Sequence, residues 1–435
     1  MMLSPRGLAV IFGGLFILIF GSEAWFFPAW IIYGGAVTGL FLLDRRMMAS
    51  PKQILVEREY PDRFPIGQET WITLLFENHS SHQLKIKIKD DFPLELTGER
   101  KPVPAVLFPR RSTQVTYSLM PYKRGKFSFG RVNIRYSSPL GLFYRQAHYS
   151  PANEKVKVYP SLLSGEEHLL KIKNGSWQKE QLRQRHLLTG TEFYGIREYE
   201  TGDEFRKINW HATARMGRFM TNEFREDRSQ PVYFLFDAGR MMTETMGRLS
   251  KLDYAVNAGA VLAYVALQRG EQVGMVGFSD RMLCFVRAQK GEKQFQVLLD
   301  GMYQLQAELV EANYRELWKQ FLLGQKKRSL ICLFTDLVDP EVSRELVQNL
   351  SRLARKHLVL CLSLRDQGLG EKARVFPAEP RDVYEKAVAV ELMGAREKAV
   401  AALRAVGVVV VDETPEKLTA AAVNKYLDLK GQMRL

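Results

Sequence analysis

Asp237 closes the apolar run PVYFLFD, and Asp336 closes RSLICLFTD. Two carboxylates delivered at the ends of two apolar strands could act as an acid–base pair or hold a hard divalent cation. Ser279-Asp280 and Thr335-Asp336 are hydroxyl–carboxylate pairs in similar positions. Such a hydroxyl becomes a nucleophile only with a base in reach. None of the seven histidines is placed near either pair by a motif; His211, in NWHATAR, is alone in standing inside a dense motif. A structural hydrogen bond is its expected role. No HExxH, CxxC, GxGxxG or GxxxxGK[ST] is present. The three cysteines, Cys284, Cys332 and Cys361, lie inside apolar runs and read as buried thiols.

The densest polar motif is REYETGDEFRKINWHATARMGR, residues 197–218. Its charges balance: across 197–228 there are seven basic and seven acidic side chains. A phosphate-binding surface needs a surplus of cations, so ion pairs are the expected use. Thr201-Gly202-Asp203 reads as a turn. Ile208 and Trp210 alternate with Asn209. The expectation is a clasp lying against the C-terminal domain. Trp210 would be its packed anchor, and Arg197, Asp203, Arg206 and Arg215 its salt-bridge network. Tyr199, Gly202 and Gly217 complete this structural signature.

The elements that must position these residues follow from patterning. Strand-like runs alternate with amphipathic stretches of about 15 residues after residue 231. Helices are expected over 249–270, 340–356, 381–406 and 415–429, and strands at 271–280, 328–339, 358–364 and 407–411. This predicts an α/β doubly wound domain over 231–435 with its crevice at the carboxyl ends of the strands. Residues 51–160 alternate apolar and polar positions between turn signals, which predicts an antiparallel, immunoglobulin-like β-sandwich. Residues 161–230 connect the two.

Residues 7–21 and 24–43 are uncharged and apolar, separated by Ser22-Glu23. With Arg6 before them and Arg45-Arg46 after them, the pattern predicts a transmembrane helical hairpin over 1–50. A cleaved signal peptide is the rival reading. The hairpin implies a two-pass cell-membrane protein with its bulk in the cytoplasm. The net charge is +14, and residues 51–160 hold 18 basic against 10 acidic groups. That excess would face an anionic leaflet, which accounts for it without nucleic acid.

An α/β domain whose first strand ends in VYFLFDAGRMM and another in LFTDL resembles the von Willebrand factor A fold. There a D-x-S-x-S loop, a loop threonine and a second aspartate surround a divalent metal. Here Gly239 and Met241 stand at the serine positions, and no Ser or Thr lies between Arg287 and Lys327. No metal, no cofactor and no catalytic residue is expected; Asp237, Gly239 and Asp336 are expected to line a binding face. GTEFYGIREYETGDEFRKINWHATARMGR, RGKFSFGRVNIRYSSPLGLFYR, GFSD and NKYLDLKGQMRL are similar to the signature of bacterial family fifty-eight among the domains of unknown function. That resemblance implies a membrane-tethered adaptor or chaperone-like protein. It also implies association with a MoxR-type AAA+ ATPase and a transglutaminase-like membrane protein. A hydrolase using the strand-end hydroxyls, and a nucleic-acid-binding protein using the basic sandwich, are the alternatives.

Overall fold

A computed structural model describes residues 2–20, 26–151, 155–162, 192–225, 230–325, 327–337, 340–377 and 379–431. The expected Ser22-Glu23 turn and residues 163–191 and 226–229 of the connecting segment, with Gly190-Thr191 of the signature among them, lie outside them. The chain divides into two compact units, Met1–Tyr159 and Pro160–Leu435.

In the first unit, period-two patterning produces strands with one buried face. Leu84, Ile86 and Ile88 point inward from the strand Leu84–Asp90, while Lys85, Lys87 and Lys89 are exposed. A five-stranded sheet and a four-stranded sheet contribute to one apolar cluster containing Ile54, Leu74, Phe76, Ile134 and Tyr136. A further three-stranded sheet contains a parallel pair, Arg63–Pro65 with Lys155–Tyr159. Arg58 and Asp90 form a buried ion pair, with Nε 3.0 Å from Oδ2, and Tyr117 donates to the same carboxylate.

The two-pass anchor expected over residues 1–50 is overturned. Among the described residues, no helix is long and apolar enough to cross a membrane. The first helix, Pro5–Phe20, has 16 residues. At about 1.5 Å per residue it spans about 24 Å, short of the roughly 30 Å of a hydrocarbon core. The second, Phe26–Met47, carries Asp44, Arg45 and Arg46 in its last turns. Asp44 is fully buried in protein: its carboxylate accepts from Ser138 Oγ at 2.5 Å and from the Leu140 and Leu142 amides at 2.9 and 3.1 Å. The same turn holds the start of the first helix, through Ser4 N on Leu142 O at 2.8 Å. Residues flanking both apolar runs are thus built into the β-domain, and the inferred cell-membrane localisation falls with the anchor.

The second unit is organised by a six-stranded sheet. Its order is Met282–Gln289, Val273–Phe278, Val232–Asp237, Leu330–Thr335, Leu358–Leu364, Val409–Glu413. All neighbours are parallel except the antiparallel edge strand Met282–Gln289. The strands Val232–Asp237, Val273–Phe278 and Leu330–Thr335 are buried at every residue, as apolar runs covered on both faces require. The helix Lys251–Gln268 is also buried along most of its length; Ser250 caps it, with Asp253 completing a capping box. Strand order reverses at Val232–Asp237: the next parallel strand lies on one side and Leu330–Thr335 on the other. That switch point brings the ends carrying Asp237 and Asp336 side by side.

Candidate functional site: a sealed strand-end crevice and an exposed aromatic hairpin

Asp237 and Asp336 do meet at the switch point, and both are buried, at 3% and 4% exposure. Each carboxylate is satisfied from within the chain. Asp237 Oδ2 lies 2.6 Å from the Tyr314 hydroxyl and 2.7 Å from that of Thr335, and Oδ1 accepts from the Gly239 amide at 2.8 Å. Burial holds the Asp237 carboxyl above the ordinary aspartate range, against the pull of those hydrogen bonds, and the Asp336 charge adds to the rise.

Asp336 is matched to two cations. Lys251 Nζ lies 2.5 Å from Oδ2 and also binds Glu244; Arg396 Nη1 lies 2.8 Å from Oδ1, which also accepts from the Leu337 amide. Arg396 continues the network, donating to Ser363 Oγ at 2.6 Å, to the Leu364 carbonyl at 2.7 Å and to Asp412 at 2.6 Å. The guanidinium thereby ties together the ends of three adjacent strands.

Gly239 serves packing. A Cβ there would stand 3.0 Å from the Val310 carbonyl oxygen and 3.1 Å from the Ala312 amide nitrogen. The loop 305–313 lies over this position, stitched down by Glu308 N on Ala238 O, Arg240 N on Val310 O and Asn313 N on Ser279 O, each 2.8 Å. The expected binding face at Asp237, Gly239 and Asp336 is therefore interior. Glu308 and Glu311 stay away from both aspartates: Glu308 takes Ser279 and Arg281, and Glu311 pairs with Arg240.

A divalent cation does not fit this donor set. Every oxygen of the two aspartates already accepts a hydrogen bond or a charge, and the ammonium and guanidinium would repel a second cation. Among the described residues no group of three or more His, Cys, Asp or Glu could hold a metal. The candidate hydroxyls are likewise engaged within the chain. Ser279 is buried and bonded to Asp280 and Glu308, Thr335 is buried against Asp237, and no histidine contacts either hydroxyl among the described residues.

The chain's sequence hides the partners more than the carboxylates. Lys251, Tyr314, Thr335, Arg396 and Asp412 complete the network, and of these the sequence singles out only Thr335, beside Asp336. A usable signal was present at Lys251, a lone cation opening an otherwise buried helix, and at Arg396, inside a helix that packs on the sheet.

The ammonium of Lys251 carries a pH signature. Burial pulls its pKa down, but Asp336 and Glu244 outweigh that and hold it above the ordinary lysine value of 10.5. The ion pair's stabilisation is thus fully present below the unfolded lysine value and is lost as pH rises through the higher folded value. We expect the native chain to lose more stability in alkali than Lys251→Met, measured by urea midpoints across that window. Parallel curves would contradict this.

The signature segment builds a second structure. Strands Glu192–Glu198 and Met220–Arg225 pair antiparallel, and the stretch between them folds back as a short helix, Trp210–Met216. Asp203 closes the turn, accepting from Arg197 Nη2 at 2.6 Å and from the Glu200 amide at 3.0 Å. The Arg197 hydrogen bond holds the Asp203 carboxyl below the ordinary aspartate range. Tyr199 donates to the Asp203 carbonyl at 3.1 Å. Gly202 and Gly217 take φ of +115° and +68°, where side chains are disfavoured.

Two parts of the clasp expectation are corrected. Trp210 is 64% exposed, and the buried anchor is Ile208, bridged to Thr221. The alternation stops at Asn209, whose side chain caps the helix from the Ala212 amide, so Trp210 begins a helix instead of continuing a strand. The salt-bridge network reduces to the Arg197 pairings with Asp203 and Glu200; Arg206 and Arg215 are exposed, with no acidic partner among the described residues. His211, expected to make a structural hydrogen bond, is exposed and makes none among the described residues.

Residues 195–375 match the model for a protein family of unknown function, DUF58. A similar curated protein is the uncharacterized protein YeaD of Bacillus subtilis, 26% identical over 201 residues, covering 45% of this chain and 46% of that one. The chain thus matches about half the length of that relative. Solved structures of similar parts include the PapD-like domain 7 of human CEP192, at 14% identity and a TM-score of 0.20, covering 26% of this chain and 92% of that one. Another is the cupredoxin domain of amoB from Nitrosocaldus yellowstonii, at 7% identity and a TM-score of 0.19, covering 26% and 89%. TM-scores of this size do not establish a shared fold. The family model and the Bacillus relative together support the family to which the signature points, the protein family of unknown function DUF58.

Proposed function

We propose that this chain is a non-enzymatic protein-interaction module, an adaptor or chaperone-like component acting with an AAA+ ATPase of the MoxR type. The observation that carries the reading is the internal saturation of the strand-end site. Asp237 and Asp336 sit where an α/β sheet ordinarily places its chemistry, yet each is consumed by hydroxyls, amides and cations of the same chain. What the crevice withholds from ligands it contributes to rigidity, as a scaffold for contacts elsewhere would need. The ATPase, and with it a transglutaminase-like partner, comes from the family resemblance. The von Willebrand factor A-like character of the second unit belongs to the same proposal; its six-stranded order and switch point are compatible with it.

The test combines the purified full chain with the purified MoxR-type ATPase of the same cell. Co-elution on size exclusion and a changed rate of ATP hydrolysis are expected. Separate elution with an unchanged rate would contradict the reading, as would a hydrolytic activity of the chain that Ser279→Ala abolishes.

A further inference from the structure

We propose that the hairpin of the signature segment is a docking site for an acidic, amphipathic helix of a partner protein. This rests on the interaction-module reading and names where that interaction occurs.

Four aromatic rings make a continuous chain of contacts on the hairpin. Phe205 meets Tyr199 at 5.9 Å between centroids, Tyr199 meets Phe219 at 6.2 Å, and Phe219 meets Trp210 at 6.4 Å. Three of the four are displayed to solvent: Phe205 is 76% exposed, Trp210 64% and Phe219 57%, and Met216 beside them is 59% exposed. Packing within the hairpin does not require this display. Its interior is supplied by Ile208, Met220 and Thr221, all buried. Large apolar side chains gathered on one small element mark a contact surface, whereas singly scattered ones do not. Trp, Phe, Met and Arg are also the residue types enriched in the centres of protein interfaces.

The hairpin holds these side chains on a fixed frame. Asp203 locks the turn, Asn209 caps the helix, and the Met220 amide donates to Thr213 Oγ1 at 3.0 Å. A surface ordered before binding loses less entropy on binding.

Charge selects the partner. Lys207 pairs with Glu204, Arg218 with Glu198, and Arg197 with Asp203. Arg206 and Arg215, next in sequence to Phe205 and Met216, are exposed with no acidic partner among the described residues. A complementary surface therefore presents apolar groups to the rings and carboxylates to the two arginines. Nucleic acid and an anionic bilayer both fit worse, because the paired charges cancel and two unpaired arginines are no surplus of cations for an extended run of phosphates. Ring-to-ring spacings of 5.9–6.4 Å are of the order of the ~5.4 Å pitch of an α-helix, so a helix with one apolar residue per turn suits this surface.

The test uses the full chain and labelled helix-forming peptides, read by fluorescence anisotropy. One peptide carries Leu once per turn flanked by Glu; the second has Lys in place of Glu; vesicles of phosphatidylserine and phosphatidylcholine are the third probe. The Leu/Glu peptide is expected to bind about tenfold tighter than the Leu/Lys peptide. Trp210→Ala should weaken it by about tenfold while leaving the circular dichroism spectrum unchanged. The double variant Arg206→Glu, Arg215→Glu should reverse the peptide preference. No binding of either peptide, equal binding of both, or Trp210-dependent capture by vesicles would overturn the proposal. If the chain ignores the peptides yet co-elutes with the ATPase, the docking site is wrong and the adaptor reading stands. If it binds the Leu/Glu peptide but not the ATPase, the reverse holds.

Discussion

Replacing Lys251 by methionine is expected to destabilise the second unit by about 3–5 kcal/mol, the cost of breaking a buried ion pair from one side. Lys251 is 1% exposed, and its ammonium joins Asp336 to Glu244. Methionine fills much of the same volume, so the loss is chiefly electrostatic. Asp336, with a side chain fully removed from solvent, would keep one cation, Arg396, where it now has two. Urea unfolding of the full chain, followed through the second unit's transition, measures the loss; a change under about 1 kcal/mol would show that Asp336 does not depend on Lys251. A double-mutant cycle of Lys251→Met with Asp336→Asn separates the pair from packing, and the double variant should cost less than the sum of the two single ones.

The second large effect falls in the first unit. Asp44→Ala is expected to cost about 3 kcal/mol, since one buried carboxylate satisfies three donors that would all lose their partner. Those donors are the Ser138 hydroxyl and the Leu140 and Leu142 amides. The turn they belong to also holds Ser4, so loosening should reach the first helix. Urea unfolding of the first unit measures the cost, and hydrogen exchange at the Leu140 and Leu142 amides locates it. An unchanged midpoint with unchanged exchange would contradict the assignment of Asp44 as the post on which this turn is built.

Asp44 also shows where sequence reading succeeds and where it fails. Periodicity located most regular elements of the second unit to within a few residues: the expected strand at 358–364 is Leu358–Leu364, and the expected helix at 381–406 is Pro380–Ala405. Those signals are local, carried by the residues that form the element. Asp44 next to Arg45 and Arg46 looks like a charged flank to an apolar run, and only a turn almost a hundred residues later reveals its partners. Trp210 misled for a related reason. A two-residue alternation holds through Asn209 and then yields to a helix cap, and nothing local to Trp210 reports the change of period.

At the candidate site the aspartates were legible because strand ends are legible. Their partners were not, because Lys251, Tyr314 and Arg396 lie on three separate helices that converge on the sheet only in the folded chain. The buried strand end at Asp237 and the packed loop over Gly239 are likewise tertiary facts. The exposed rings of the signature segment follow the same rule in reverse: their types were visible in the sequence, their display to solvent was not.

The central claim is that the strand-end carboxylates are committed to this chain's own cations. Calorimetric titration of the full chain with magnesium and with manganese tests it most directly, with Asp336→Asn as the control. The account predicts no saturable binding that depends on Asp336. Stoichiometric binding that Asp336→Asn abolishes would contradict it.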